Sequence, residues 1–204
     1  MKSYPAFASI EFNSVPVGLF SADALLKKSP IAMIRAGTIG AGRFLILLAG
    51  TTASVAEAHA EALFHGGLQV ADDAFLPDIH PALYDAILGN VRQMGEGPLW
   101  ILETPTVSCN VQAIERAMKG VPVELVEFRA GDPRMDGRGL AILQGDLYDV
   151  QAAQEIALSV LETRGIPAQH RVLTEPHDAL LAQIAVSTRF DLAQPLALEG
   201  ETAS

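Results

Sequence analysis

Apolar and polar positions along this chain fall into a short cycle that runs twice. Residues 6–12 (AFASIEF) form an apolar run of strand length. Residues 17–28 form an Ala- and Leu-rich stretch ending in Lys27 and Lys28, then Pro30; a basic last turn followed by proline is how a helix stops. Two more apolar runs, 31–36 and 43–49, flank the small-residue stretch TIGAG (38–42) and predict two strands joined by a turn. Thr51 and Thr52 are candidate caps for a second helix. A short strand and a terminal helix beginning near His80 complete the order β-α-β-β-α-β-α. The cycle then restarts, with a strand over 99–104, a helix over 110–120 and strands over 123–128 and 139–143. A helix capped by Asp146 and a terminal helix near His177 close it.

The two cycles align residue by residue. Residues 9–30 match 101–122 without a gap, 92 positions apart, pairing Glu11 with Glu103, Asp23 with Glu115, Lys27 with Lys119 and Pro30 with Pro122. GRFLILLAGTTASVAEA, from Gly42, matches GRGLAILQGDLYDVQAA, from Gly137, 95 positions apart. HPAL at 80–83 echoes PHDAL at 176–180. Such a repeat is one structural unit written twice. It divides the chain into a first domain (1–90), a linker (91–98) within the polar, Gly-rich GNVRQMGEGP, a second domain (99–187) and a tail (188–204). The fold class is α+β, with helices packed on a sheet in each copy.

Composition narrows the function. Half the residues are hydrophobic, 19% are charged and only 6% are aromatic, so the core is made of small aliphatic side chains with little room for a large ligand. The net charge of −10 lacks the clustered cations that phosphate backbones require, and it disfavours an anionic membrane surface. No run of about 18 apolar residues is present, and MKSYPAFASIEF lacks the apolar centre of a secretory leader. The single cysteine, Cys109, rules out an intrachain disulfide framework and points to a reducing compartment.

The conspicuous candidate for chemistry is RAGDPRMDGRGLAILQGD (129–146). It lacks the Lys-Ser/Thr ending of a phosphate loop and the ligand series of a calcium loop. Set against its twin, it is the turn between two strands. Between the paired proline and the paired glycine the first copy has 11 residues (31–41) and the second has 14 (123–136). The second turn is thus a charge-bearing, three-residue insertion, and an ordinary solvated hairpin turn explains it as the residues stand. Glu11 and Glu103 recur in both copies, which argues for structure over catalysis. His80 and His177 also recur; His59 and His65 are six apart and do not share a helix face, and His170 stands alone. No metalloprotease, Cys-x-x-Cys or nucleophile-elbow motif occurs.

In family order, SIEFNSVPVGLFSADALLKK and LWILETPTVSCNVQAIERAMK, IGAGRFLILLAGTTASV and GRGLAILQGDLYDV, IHPAL and EPHDAL resemble the bacterial microcompartment shell proteins. The resemblance covers residues 5–186 in two tandem copies and is similar to the tandem-domain subclass. It implies two shell-type α/β sandwich domains per chain, in the non-permuted order, and a homotrimer that forms a pseudohexameric tile. It implies a structural protein, not an enzyme, located in the microcompartment shell within the cytoplasm. Its partners would be itself, other shell proteins and small metabolites crossing a central pore, with no nucleic acid and no membrane. The pore would be lined by Thr38, Ile39, Gly40, Ala41 and Gly42 and by Gly131, Asp132, Pro133, Arg134, Met135, Asp136 and Gly137. Lys27, Lys119, His80 and His177 would lie at the tile edge, although the family's arginine before the terminal Pro-His is replaced by Asp78-Ile79 and Glu175-Pro176. No resident cofactor is implied for the plain tile. One relative holds a 4Fe-4S cluster on its threefold axis through one cysteine per chain. Gapless matching puts that ligand at Asn110, next to Cys109, so a redox tile is an alternative to a small buried cysteine. A duplicated α+β enzyme or ligand-binding protein is the alternative from another class.

Overall fold

The computed structural model describes residues 4–89, 94–196 and 198. Residues 1–3 and 90 of the first predicted domain, 91–93 of the linker, and 197 and 199–204 of the tail lie outside the described residues.

The first copy runs β1 (Ala6–Phe12), α1 (Val15–Lys28), β2 (Met33–Gly40), β3 (Arg43–Gly50), α2 (Thr52–Gly66), β4 (Val70–Leu76) and α3 (Pro81–Ile87). The second runs β5 (Leu99–Thr104), α4 (Val107–Gly120), β6 (Glu124–Arg129), β7 (Gly139–Gln144), α5 (Leu147–Thr163), β8 (Gln169–Leu173) and α6 (Asp178–Val186). Each copy folds into a four-stranded antiparallel sheet, β2-β3-β1-β4 and β6-β7-β5-β8. The registers agree as well as the orders: Phe7 opposes Leu76 and Leu99 opposes Leu173, while Glu11 opposes Leu45 and Glu103 opposes Leu140.

Local chemistry places the helix ends. Ser14 and Thr106 cap α1 and α4, Thr51 caps α2, and His80 and His177 accept the Ala82 and Ala179 amides through Nδ1, at 3.3 and 3.1 Å. The recurrent histidines are therefore helix caps. Asp146 holds the cap position of α5 without a side-chain bond. Helix α1 starts at Val15, ahead of the expected residue 17, because Pro16 sits in the first turn, where its missing N–H is not needed. Helix α4 starts at Val107, ahead of the expected residue 110, behind the Thr106 cap.

The side-chain alternation of a strand shows how the copies share a core. Ala6, Ala8, Ile10 and Phe12 face their own helices and pack with Ala22, Leu25, Val55, Ala58 and Ala62. Phe7, on the opposite face of β1, belongs to a second core with Trp100, Leu102, Val107, Val111, Ile114 and Met118 of the second copy. The two copies thus share one continuous apolar core across their junction. Packing between helix and sheet uses the same two matched positions with the sizes exchanged. A Cβ on Gly18 of α1 would fall 2.4 Å from the ring of Phe44, and one on Gly139 of β7 would fall 2.6 Å from Asn110. Gly18 matches Asn110, and Phe44 matches Gly139.

Candidate functional site: the joint between the copies and the paired turns

The joint is built from α4 of the second copy seated on β1, β4 and the start of α3 of the first. Glu11, fully buried on β1, accepts the Ser108 amide at 2.8 Å and Arg43 Nη1 at 3.3 Å. Burial pushes its carboxyl up to about 7; the Ser108 amide and Arg43 pull the other way without offsetting it. Ser9 donates to the Ser108 hydroxyl at 2.9 Å. Asp72 is bridged by Thr106 and Arg164 of the second copy. Gln112 donates to the Asp73 carbonyl at 2.9 Å and accepts from Arg164 at 2.9 Å. His59, at 2.9 Å, holds the Asp73 carboxyl below its usual range. At the far end Glu115 accepts the His80 amide on both oxygens, at 3.1 and 2.9 Å. Lys119 bonds Glu115 at 2.8 Å and reaches the Asp78 carbonyl.

Two of the four expected edge residues, His80 and Lys119, therefore meet through Glu115 at the joint inside one chain. Their twins do not meet. Among the described residues Lys27 pairs only along its own helix, with Asp23 at 2.5 Å, and His177 is exposed.

The two turns lie side by side. A Cβ on Gly40 would fall 2.9 Å from the Pro133 carbonyl, and one on Gly131 would fall 2.6 Å from Ile39. Both turns close with the same backbone. The matched Ala41 and Asp136 have φ of 49° each, and Gly42 and Gly137 follow at 73° and 74°. The insertion forms a short 3-10 helix, Pro133–Met135, capped by Asp132. Arg43 binds the Asp136 carbonyl at 2.5 Å and ties the second turn to the first copy. Thr38, Ala41, Arg134 and Asp136 are exposed. Asp132 is not: it is buried against Arg129 and Arg189, both at 3.3 Å, so its charge is neutralised inside the fold and is not offered to an opening.

Cys109 is fully buried beside Thr106, whose carbonyl accepts its thiol at 3.3 Å; burial raises its pKa. Asn110 is fully buried and donates to Thr104 at 3.0 Å. A cluster ligand must present a thiolate to a shared axis. These neutral, enclosed side chains do not fit that role. Glu11 and Glu103 each pair with a matched arginine, Arg43 and Arg138, the second pair at 2.6 Å. His65 pairs with Glu61 at 3.1 Å. Among the described residues no group of three or more His, Cys, Asp or Glu side chains converges on a point that could hold a metal.

Sequence reading missed Arg43, Asp72 and Arg164 at the joint, and Glu127, Arg129, Thr188, Arg189 and Asp191 beside the second turn. The Gly-Arg pair common to both copies at 42–43 and 137–138 was the available signal for Arg43. The others carry no local motif.

The site thus consists of a doubled α+β unit whose copies are locked together by buried and half-buried polar contacts within one chain. Comparison with known proteins places it further. The BMC domain family model matches residues 6–79. A curated relative, the bacterial microcompartment shell protein PduT of Citrobacter freundii, is 28% identical over 179 residues, covering 88% of this chain and 97% of that one. A solved microcompartment protein of Desulfitobacterium hafniense superimposes with a TM-score of 0.76 at 28% identity, covering 87% of this chain and 98% of its own. The fused permuted hexameric shell protein of the RMM microcompartment shares the fold, with a TM-score of 0.55 at 21% identity over 80% of this chain and 87% of that one. Residues 6–79 match the BMC domain, and over most of its length the chain is similar to bacterial microcompartment shell proteins.

Proposed function

We propose that three chains close into a ring of six shell domains, with α1 of each chain seated on the β8–α6 corner of the next. The carrying observation is that the joint inside the chain has an unfilled twin. Helix α4 buries Val111, Ile114, Glu115 and Met118 against the first copy. In the same place on α1, Leu19, Phe20 and Leu26 are 56, 60 and 49% exposed, and exposed Phe64 adjoins them across the His65 ring that Phe20 also meets. Repeating the internal joint between chains puts Asp23 on the amide of His177 of the partner subunit, and Lys27 beside Glu175 of the partner subunit. A second copy of the chain is thus the occupant that fits, and cyclic closure at three chains fills every seat.

In such a ring the paired turns alternate around one axis. Thr38, Arg134 and Asp136 supply the polar lining of an aperture for small metabolites, and the ring joins other shell proteins as a facet tile. This tile has no catalytic role and no resident cluster at Cys109. Native mass spectrometry of the full chain tests the assembly. A species of three times the chain mass is expected; a monomer at micromolar concentration overturns the reading.

A further inference from the structure

We propose that residues 188–191 form a strap that holds the second-copy turn in one shape and masks the charge of Arg134; only the consequence for an aperture rests on the pore reading above.

Within the segment read from sequence as an appended tail, Thr188, Arg189 and Asp191 are each tied down. The Thr188 amide and hydroxyl donate to Glu127, at 3.2 and 3.1 Å, and the hydroxyl also contacts Arg129. Arg189 Nε donates to Asp132 at 3.3 Å. Asp191 pairs with Arg134. Beneath the strap, buried Arg129 is shared between Glu127, at 2.8 Å, and Asp132, at 3.3 Å. Asp132 in turn accepts the Arg134 amide at 3.0 Å and caps the inserted 3-10 turn. Chain end and turn are therefore one network of three carboxylates and three guanidinium groups with no net charge.

The contacts divide by burial into two jobs. Glu127, Arg129 and Asp132 are buried, and each would lose a partner if the strap left; a buried polar group stripped of its partner carries its full desolvation cost. These contacts anchor the strap. The Arg134–Asp191 pair is exposed and screened by solvent, so it holds little, but it sets the charge that the turn presents. The first copy has no such device. At the positions matching Glu127 and Arg129 it carries Arg35 and Gly37, and its turn is neutral.

The test compares the full chain with one ended after Ser187, by hydrogen exchange resolved to peptides. Amides of 129–138 should exchange at least tenfold faster in the shortened chain, with β1 and α5 unchanged; equal exchange in the turn overturns the strap. If the shortened chain does not fold, Thr188→Val in the full chain serves instead, with several-fold faster exchange expected in the same segment and equal exchange again overturning the proposal. Masking is read separately by dicarbonyl labelling. Arg134 should react several-fold faster in Asp191→Asn than in the parent; an equal rate overturns the masking. Ion selectivity of tiles across a planar bilayer should then shift toward anions in Asp191→Asn. A strap and mask that pass with selectivity unmoved uphold this proposal and count against the aperture.

Discussion

Helices α1 and α4 occupy the same place in the two copies, begin behind the same kind of cap and end in the same lysine, yet one is half bare and the other is enclosed. Ten residues of α4 are buried, against four of α1. The difference lies in what each helix meets within one chain. Helix α4 has the first copy beneath it; among the described residues α1 packs only on its own copy, and the proposed ring would supply the second surface. The side chains follow suit. The α4 seat adds polar contacts among Asp72, Gln112 and Arg164 to its apolar core, whereas α1 offers Phe20 at the position matching Gln112. A joint made once, during folding, can rest on buried hydrogen bonds. The proposed joint between chains would rest more on apolar area, which is non-directional. Pro16 marks the same divergence: it matches Ser108, whose amide holds Glu11, and proline has no amide to give.

Matched substitutions break this comparison most sharply at Val111 and Leu19. Val111→Asp places a charge in a fully buried site and should cost about 4 kcal/mol or more, read as loss of the cooperative thermal transition. Leu19→Asp should keep that transition within a few degrees and abolish the trimer. If both variants behave alike, the two helices do not do different jobs.

The next effect is one of pH. The folded state binds the Glu11 proton more tightly than the unfolded state, since burial raises the pKa from 4.5 to about 7. The stability this confers is full below the unfolded value and is lost as pH rises toward 7. Linkage puts the loss at about 3 kcal/mol. Urea melts of Glu11→Gln between pH 5 and 8 should show a flatter profile than the parent; an unchanged slope would assign the pH dependence elsewhere.

Glu115 and Asp23 come third. Glu115→Ala leaves the half-buried His80 amide and Lys119 short of a partner and should cost about 1–2 kcal/mol of chain stability. Asp23→Ala should leave chain stability alone and weaken the ring several-fold, as read by dilution in mass photometry. The smallest effect is at the turns. Ala41 holds a left-handed conformation that costs a side chain about 1–2 kcal/mol, so Ala41→Gly should raise stability by up to about 1 kcal/mol in a thermal melt. Asp136→Gly should gain less, because aspartate tolerates that conformation better.

The repeat made much of the fold legible. The bounds of β1 and β5 and the order of elements in both copies follow from apolar runs, caps and proline stops, all set by near neighbours in the chain. The turn insertion was legible for the same reason, because one copy could be measured against the other. Glu11 and Glu103 were readable as structural, since each recurs. Asp132 was not readable. Three acidic and basic residues in a loop look like a charged lining, and only the approach of Arg129 and Arg189 turns one of them inward. Cys109 beside Asn110 likewise matches a cluster position by alignment, while packing encloses both.

By itself, the sequence determined a doubled α+β unit, its caps and turns, and the matched positions that relate the copies, because backbone propensity and periodicity are local. Only the tertiary structure decided which copy of each matched pair is buried, which carboxylate meets which arginine, and that the chain end returns to the second turn. Those outcomes depend on contacts between residues about 30 to 100 positions apart, such as Glu11 with Ser108 and Arg134 with Asp191, and no local pattern encodes a partner so far along the chain.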